Sequence, residues 1–425
     1  MAPPGGTIPR PDPSVPTRRP PSPSSQRRPS PAAHRALHPL HRHRAVGARL
    51  TKPTLRTVRP PTALRVIGVL IDAEGAFPQE VRLSGDGRVL ERGSRGTLGP
   101  ERPGERTVRG IVLPASVNGH SHLGDSLWGR EPPRLPFQEV VAPPMGLKHR
   151  LLAESPEAEK REAVHAALVS MRALGTLVSI DFREEGLDGV RLLRQAARGT
   201  GVEPWILGRP TDSLDRSEIR AVLSEADGLG LSALRDLPLG APELARQEVR
   251  RAGKWLALHA SESVWEPIDP VLDLHPNLLV HLCQATTEDL DAVREAKVPV
   301  AVCPRSNALY QRFPPIAELE RRHVPMLLGT DNGMFQAPDL FREMEFAYLS
   351  CRARGEGVEP RTLVEAAFVN PWTALGRPTE ARLEAGGSAR ALVLRLPTED
   401  PYYQVAARGA HRHLLVPRGS ASSSE

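Results

Sequence analysis

Eight short apolar runs mark the middle of the chain, and each ends in polar residues. The first reads Ile111-Val112-Leu113-Pro114-Ala115-Ser116-Val117-Asn118-Gly119-His120-Ser121-His122. The others cover 176–181, 203–208, 221–227, 256–262, 278–281, 298–303 and 324–332. Stretches with helical spacing, such as 157–173 and 187–197, lie between them. Short runs that stay apolar throughout are strands buried on both faces, and their alternation with helices predicts parallel βα units. Eight units predict a (β/α)8 TIM barrel, which presents reactive groups at the carboxyl ends of its strands. Runs five and six are close together, and Pro267 and Pro270 interrupt their connection, so the fifth helix should be short or distorted.

The pattern differs on either side. Residues 64–71, 80–83 and 87–90 alternate as strands do, with Gly85-Asp86-Gly87 as a turn signal. Residues 391–394 and 414–416 resume that pattern. The expectation is a small composite β-sandwich domain from 63–110 and 380–417, flanking a barrel over 111–379. Residues 1–62 are rich in Pro, Arg and Ser and lack aliphatic periodicity. They cannot bury enough apolar surface to offset their ordering entropy, so a disordered tail is expected. Its origin stays open between an early-assigned start, a targeting segment and a basic arm.

Charge follows the same division. Residues 1–60 hold 12 Lys and Arg against one acid, Asp12, and the remainder holds 44 basic against 49 acidic residues. The basic excess belongs to the tail, so no nucleic-acid partner is expected. Three scattered cysteines fit a reducing, cytoplasmic setting. No run approaches the roughly 18–20 apolar residues that span a bilayer, so no membrane association is expected.

The run ends carry the candidate chemistry. His120 and His122 are two apart, and in a regular strand such residues share a face. With His259 and Asp331 at later run ends they could hold one divalent metal and leave room for water. Asp331 has a second reading as a helix N-cap. Glu262 stands where a proton shuttle would, and His281 where a developing oxyanion would accept its hydrogen bond. Arg183 and Arg209 follow runs two and three. They either contact an anionic substrate group or pair with neighbours such as Glu184 and Glu185. Trp128, in the long loop after run one, and Asn307 complete the expected substrate contacts.

These residues resemble the amidohydrolase superfamily, and most closely its cytosine-deaminase and chlorohydrolase branch. The likeness rests on Val117-Asn118-Gly119-His120-Ser121-His122, His259-Ala260-Ser261-Glu262, Val280-His281, Cys303-Pro304-Arg305-Ser306-Asn307 and Gly329-Thr330-Asp331-Asn332. The later Val369-Asn370-Pro371-Trp372 and Leu383-Glu384-Ala385-Gly386 look like that family's return to its small β-domain. The resemblance implies a metal on His120, His122, His259 and Asp331, zinc or alternatively iron. It also implies Glu262 as proton shuttle and His281 as a polarising residue. Binuclear relatives carry a bridging lysine at the end of strand four; 225–230 has none, so a single ion is expected, with Asp227 as a minor alternative ligand.

The expected activity is hydrolytic deamination of a small planar nitrogen heterocycle or amidine-like compound, with Asp331 or Glu262 taking the proton of the attacking water. Alternatives are hydrolysis of a cyclic amide or a carbon–halogen bond at the same site, or a non-catalytic barrel. The expected partner is a small-molecule substrate, with further copies of the chain as an open alternative.

Overall fold

A computed structural model describes residues 63–128, 135–141, 146–211, 214–411 and 414–415. The expected tail at 1–62 and the side chain of Trp128 lie outside the described residues. Fifteen strands are described. β1 (Ala63–Asp72), β2 (Gly75–Ser84), β3 (Val89–Gly93) and β4 (Glu105–Pro114) come first. β5 (Ser116–His122), β6 (Thr176–Arg183), β7 (Glu203–Gly208), β8 (Gly228–Leu231) and β9 (Trp255–Ala260) follow. Then come β10 (Leu278–His281), β11 (Val300–Val302), β12 (Met326–Leu328), β13 (Asp331–Asn332), β14 (Ala391–Leu394) and β15 (Leu414–Leu415).

β5 to β12 run in sequence order in one parallel sheet with helices between them, and β13 pairs back onto β5. This is a (β/α)8 barrel whose eighth strand is made in two pieces, β12 and β13. Gly329 and Thr330 separate the pieces. A Cβ on Gly329 would come within 2.7 Å of His120 Cβ and 2.9 Å of the His120 backbone N and O. Only glycine lets strand eight pass so close to strand one. Beside it, Asn118 Nδ2 donates to Thr330 Oγ1 (2.8 Å) and Thr330 N donates to Asn118 Oδ1 (3.0 Å). This pair fastens the closure.

The barrel has an inner and an outer core. Val117, Val178, Ile180, Phe182, Leu207, Ala257, Val280 and Leu327 fill the interior. Leu229, Leu256, Leu258, Leu279 and Val300 face the helices, packing on residues such as Val164, Leu193 and Val222. Both faces of each strand are therefore buried, which explains the unbroken apolar runs.

Two expectations need correction. Residues 221–227 do not form strand four: a helix, Arg216–Glu225, covers most of them, and the strand is Gly228–Leu231. Asp215 caps that helix by accepting from the Ser217 and Glu218 N–H groups (2.8 and 2.9 Å). Its apolar residues Ile219, Val222 and Leu223 recur at helical spacing toward the core. The first run is also two strands: Ile111–Pro114 pairs with β14 as the end of β4, and the barrel strand starts at Ser116. The fifth helix is a single turn, Asp269–Leu272, with Pro270 in its first turn and Pro267 just before it.

Outside the barrel, one continuous ladder runs β15-β14-β4-β1-β2-β3, so the small β-domain is composite, with strands from both flanks of the barrel. It has its own core of Val66, Leu70, Val81, Leu83, Val108, Val112 and Val393. A helix, Pro401–Arg408, lies between β14 and β15 and has no counterpart in the strand pattern read from the sequence. Among the described residues no helix is long and apolar enough to cross a membrane.

Candidate active site

Strand alternation decides which residues reach the barrel mouth. On β7, Trp205 and Leu207 belong to the interior, so Arg209 falls on the cavity side. On β9, Ala257 points inward and His259 follows two residues later. On β12, Leu327 points inward, and Asp331, beyond the break and with a left-handed backbone (φ 56°), also reaches the cavity. β5 breaks the rule. Val117 is interior, which would send His120 and His122 outward, but the ladder with β6 shifts register between Asn118 and Ser121. The irregularity turns Ser121 toward Ser179 and Asp181 (both 2.9 Å) and both imidazoles toward the axis. β10 breaks it differently. Val280 is interior, and His281 is brought to the same side by a left-handed backbone, φ 78°.

Four side chains converge there. His122 Nε2 lies 3.4 Å from His259 Nε2 and 3.6 Å from Asp331 Oδ1. His120 Nε2 lies 3.3 Å from the same Asp331 oxygen. Ligands about 2.0–2.1 Å from a tetrahedral ion stand about 3.4 Å apart along its edges, so these spacings suit one small divalent cation. Both nitrogens of His120 are enclosed without a hydrogen-bond partner among the described residues. The other two histidines have theirs on the far ring nitrogen: His122 Nδ1 meets Glu184 Oε1 at 2.8 Å, and His259 Nδ1 meets Leu231 O at 2.9 Å. That leaves Nε2 of each free to ligate. Burial holds His120 down to about 3 and also lowers His259, so both are neutral and able to bind a cation. Phe182 forms the floor, with its ring centroid 4.6 Å from that of His120 and 4.8 Å from that of His259.

Glu262 and His281 stand beside the four. Glu262 Oε2 is 3.6 Å from His281 Nε2. Asn307 Nδ2 donates to His281 Nδ1 (3.2 Å) and reaches Glu262 Oε1 (3.4 Å). Accepting at Nδ1 leaves the neutral imidazole's proton on Nε2. Burial, then repulsion from Asp331, raises Glu262 to about 8. Burial lowers His281 to about 4. The preceding turn is rigid: Ser261, at φ 44°, donates its N–H to Glu266 Oε1 (3.0 Å). Ser306 Oγ donates to Asp331 Oδ2, leaving Oδ1 facing His120.

The remaining expected contacts are distributed unequally. Arg209 lines the cavity together with Glu262, His281 and Asp331. Asn307 is buried behind it as the bridge just described. Arg183 does not face the cavity. It is fully buried out of phase with Phe182, donating to Glu185 Oε2 (2.7 Å) and Gly189 O (3.1 Å). Asp227 accepts from the Ile206 N–H at the opposite end of its strand (2.8 Å), away from the four. Sequence reasoning missed the support behind His122. There Glu184 also binds Lys148 Nζ (2.6 Å), which reaches Asp125 Oδ2 (3.1 Å), and all three are buried. The phase of Val178, Ile180 and Phe182 would have placed Glu184 on the inner side.

Comparison with known proteins identifies the family. The sequence profile of the Amidohydrolase family matches residues 111–414. A Methanothermobacter thermautotrophicus protein named "Putative aminohydrolase" is 32% identical over 373 residues, covering 82% of this chain and 95% of that protein. An Archaeoglobus fulgidus protein of the same name is 34% identical over 238 residues, 56% of this chain and 68% of its own length. The fold superposes on a zinc-bound adenosine deaminase from Xanthomonas campestris with a TM-score of 0.67, at 18% identity, over 81% of this chain and 88% of that one. With most of the barrel inside the profile and a relative aligned almost end to end, the chain belongs to the amidohydrolase family and is a metal-dependent hydrolase of carbon–nitrogen bonds.

Proposed function

We infer that this chain is a hydrolytic deaminase of a small planar nitrogen heterocycle or amidine-like compound, working with one divalent ion, zinc. The observation that carries the reading is the Glu262–Asn307–His281 group beside the four converging side chains. It supplies a carboxyl able to exchange protons near neutrality and a neutral imidazole with its N–H on Nε2. The names of the archaeal relatives support an amine as leaving group. Three nitrogens and one oxygen suit zinc. A single ion is supported by the end of β8, which carries Ser232 and no lysine.

His120, His122, His259 and Asp331 would hold the ion, which when bound supplies Lewis acidity that brings water's pKa toward neutrality. Glu262 accepts a proton from the attacking water. His281 donates its Nε2–H to the charge that develops as the sp² carbon becomes tetrahedral. Asn307 keeps the imidazole in that tautomer. Glu262 then gives the proton to the departing nitrogen, and ammonia leaves as the carbon–oxygen bond replaces the carbon–nitrogen bond.

The test is ammonia release by metal-replete protein from aminated purines, pyrimidines, triazines and pterins. At least one should react, and Glu262→Gln should retain metal while losing about 10²–10⁴-fold in rate. Acid or halide release without ammonia would replace deamination by the cyclic-amide or carbon–halogen reading. A Glu262→Gln variant of near-normal rate would remove the shuttle assignment.

A further inference from the structure

Most guanidinium groups near the barrel mouth are matched to acceptors. Arg305 pairs with Glu343 at 3.0 Å. Arg235 donates to Val264 O (3.0 Å) and Ser263 Oγ (3.1 Å). Arg312 departs from this. Among the described residues no carboxylate lies within ion-pair distance of it, and the acid that feels its charge is Glu262 in the cavity. Its Cζ lies 4.3 Å from the Phe137 ring centroid and 5.7 Å from that of Tyr310. Its Nη1 is shut away from solvent with no acceptor, and the Tyr310 hydroxyl is likewise buried with no partner.

Phe137 and Tyr310 meet edge to face at 5.2 Å and line the same cavity as Glu262, His281 and Asp331. The segment carrying Tyr310 and Arg312 is tied to the catalytic group, because Arg312 N donates to Asn307 O (3.1 Å). A buried guanidinium N–H and a buried phenol without partners are each unfavourable, and here the first stacks on Phe137 and the second belongs to Tyr310, both of which line the cavity. A guanidinium stacked on a ring keeps its planar edge available, and that edge matches a carboxylate.

We propose that Arg312 and Tyr310 form a subsite for a carboxylate carried by the substrate, with its ring system against Phe137. The substrate is then a planar amine bearing a carboxylate on the side away from the reacting carbon. This orientation rests on the deaminase reading, whereas the subsite itself does not.

The test is calorimetric titration of metal-replete, full-length protein with benzoate and with acetophenone, its neutral counterpart. Benzoate should bind at least about tenfold more tightly. Arg312→Ala should abolish that preference, Arg312→Lys should keep part of it, and Tyr310→Phe should weaken benzoate severalfold. Equal affinities, no binding of either, or a preference that survives Arg312→Ala (as binding through the metal alone would) overturns the subsite. Arg312→Lys keeps the test decisive if the alanine variant does not fold. Neither probe has an amine to lose. An Arg312-dependent preference would therefore stand even if no amine yielded ammonia, and its absence would leave the deaminase reading untouched.

Discussion

Replacing Lys148 with Met asks how much the candidate metal site depends on charges that never touch the metal. Lys148 is 4% exposed and lies 2.6 Å from Glu184 and 3.1 Å from Asp125, which are 4% and 0% exposed. Methionine keeps most of the volume and removes the cation, leaving two buried carboxylates with His122 and Arg183 as the remaining positive groups that act on them among the described residues. Breaking a buried pair from one side costs about 3–5 kcal/mol. In a fold of this size that lowers Tm on the order of 5–10 °C. Glu184 orients His122 through Nδ1, and loss of such an outer partner costs about 10–100-fold in metal affinity. The pH dependence gives a sharper signature. Burial already raises Asp125 to about 6, and without Lys148 both carboxyls titrate above their unfolded values. A carboxyl whose folded pKa is raised destabilises the fold above its unfolded pKa, and the penalty fades as pH falls toward that value. The gap between wild type and Lys148→Met should therefore be widest near pH 8 and narrow toward pH 5. Calorimetry across that range and competition with a chelating dye measure both effects. A variant within about 1 °C of wild type at pH 8, with unchanged metal affinity, would refute the reasoning.

Three further outcomes are expected. Asp331→Ala should lose both bound metal and turnover, because it removes the oxygen that faces His120 and His122; full metal occupancy by mass spectrometry would contradict the ligand set. Gly329→Ala should cost about 1–3 kcal/mol or more from overpacking on the His120 backbone, together with metal affinity, and unfolding and metal titrations will show whether it does. In the pH profile of kcat/KM, Glu262 must be ionised to accept a proton. Activity should thus fall on the acid side, with a midpoint above the ordinary 4.5 and, because the ion's charge favours the carboxylate, at or below about 8. A rate that is flat from pH 5 to 8 would disprove that role.

The barrel was legible because its strands are buried on both faces and so read as unbroken apolar runs. Strand four was not: Gly228-Leu229-Gly230-Leu231 offers two side chains beyond glycine, whereas the preceding helix carries Ile219, Val222 and Leu223. Residue types at run ends pointed to the converging histidines and Asp331, but their directions were only partly readable. Simple alternation orients Arg209 and His259 correctly and would have turned Arg183 away. It fails for His120, His122 and His281, where a register shift and a left-handed residue reverse the phase. Such irregularities depend on neighbouring strands, which a single sequence does not display. Lys148 was visible in its loop, but the fold alone brings it to Glu184.

The closure between strands one and eight has a consequence for the order of events in synthesis. Asn118 and Thr330 are 212 positions apart, and the candidate ligands His120 and His122 lie on one side of that closure with Asp331 on the other. A ribosome must therefore make nearly the whole barrel before the last ligand emerges, and a chain cut short anywhere before Asp331 lacks both a closed sheet and a complete set of donors. On the proposed ligand set, a complete group of donors and a closed sheet therefore arrive together, late in synthesis.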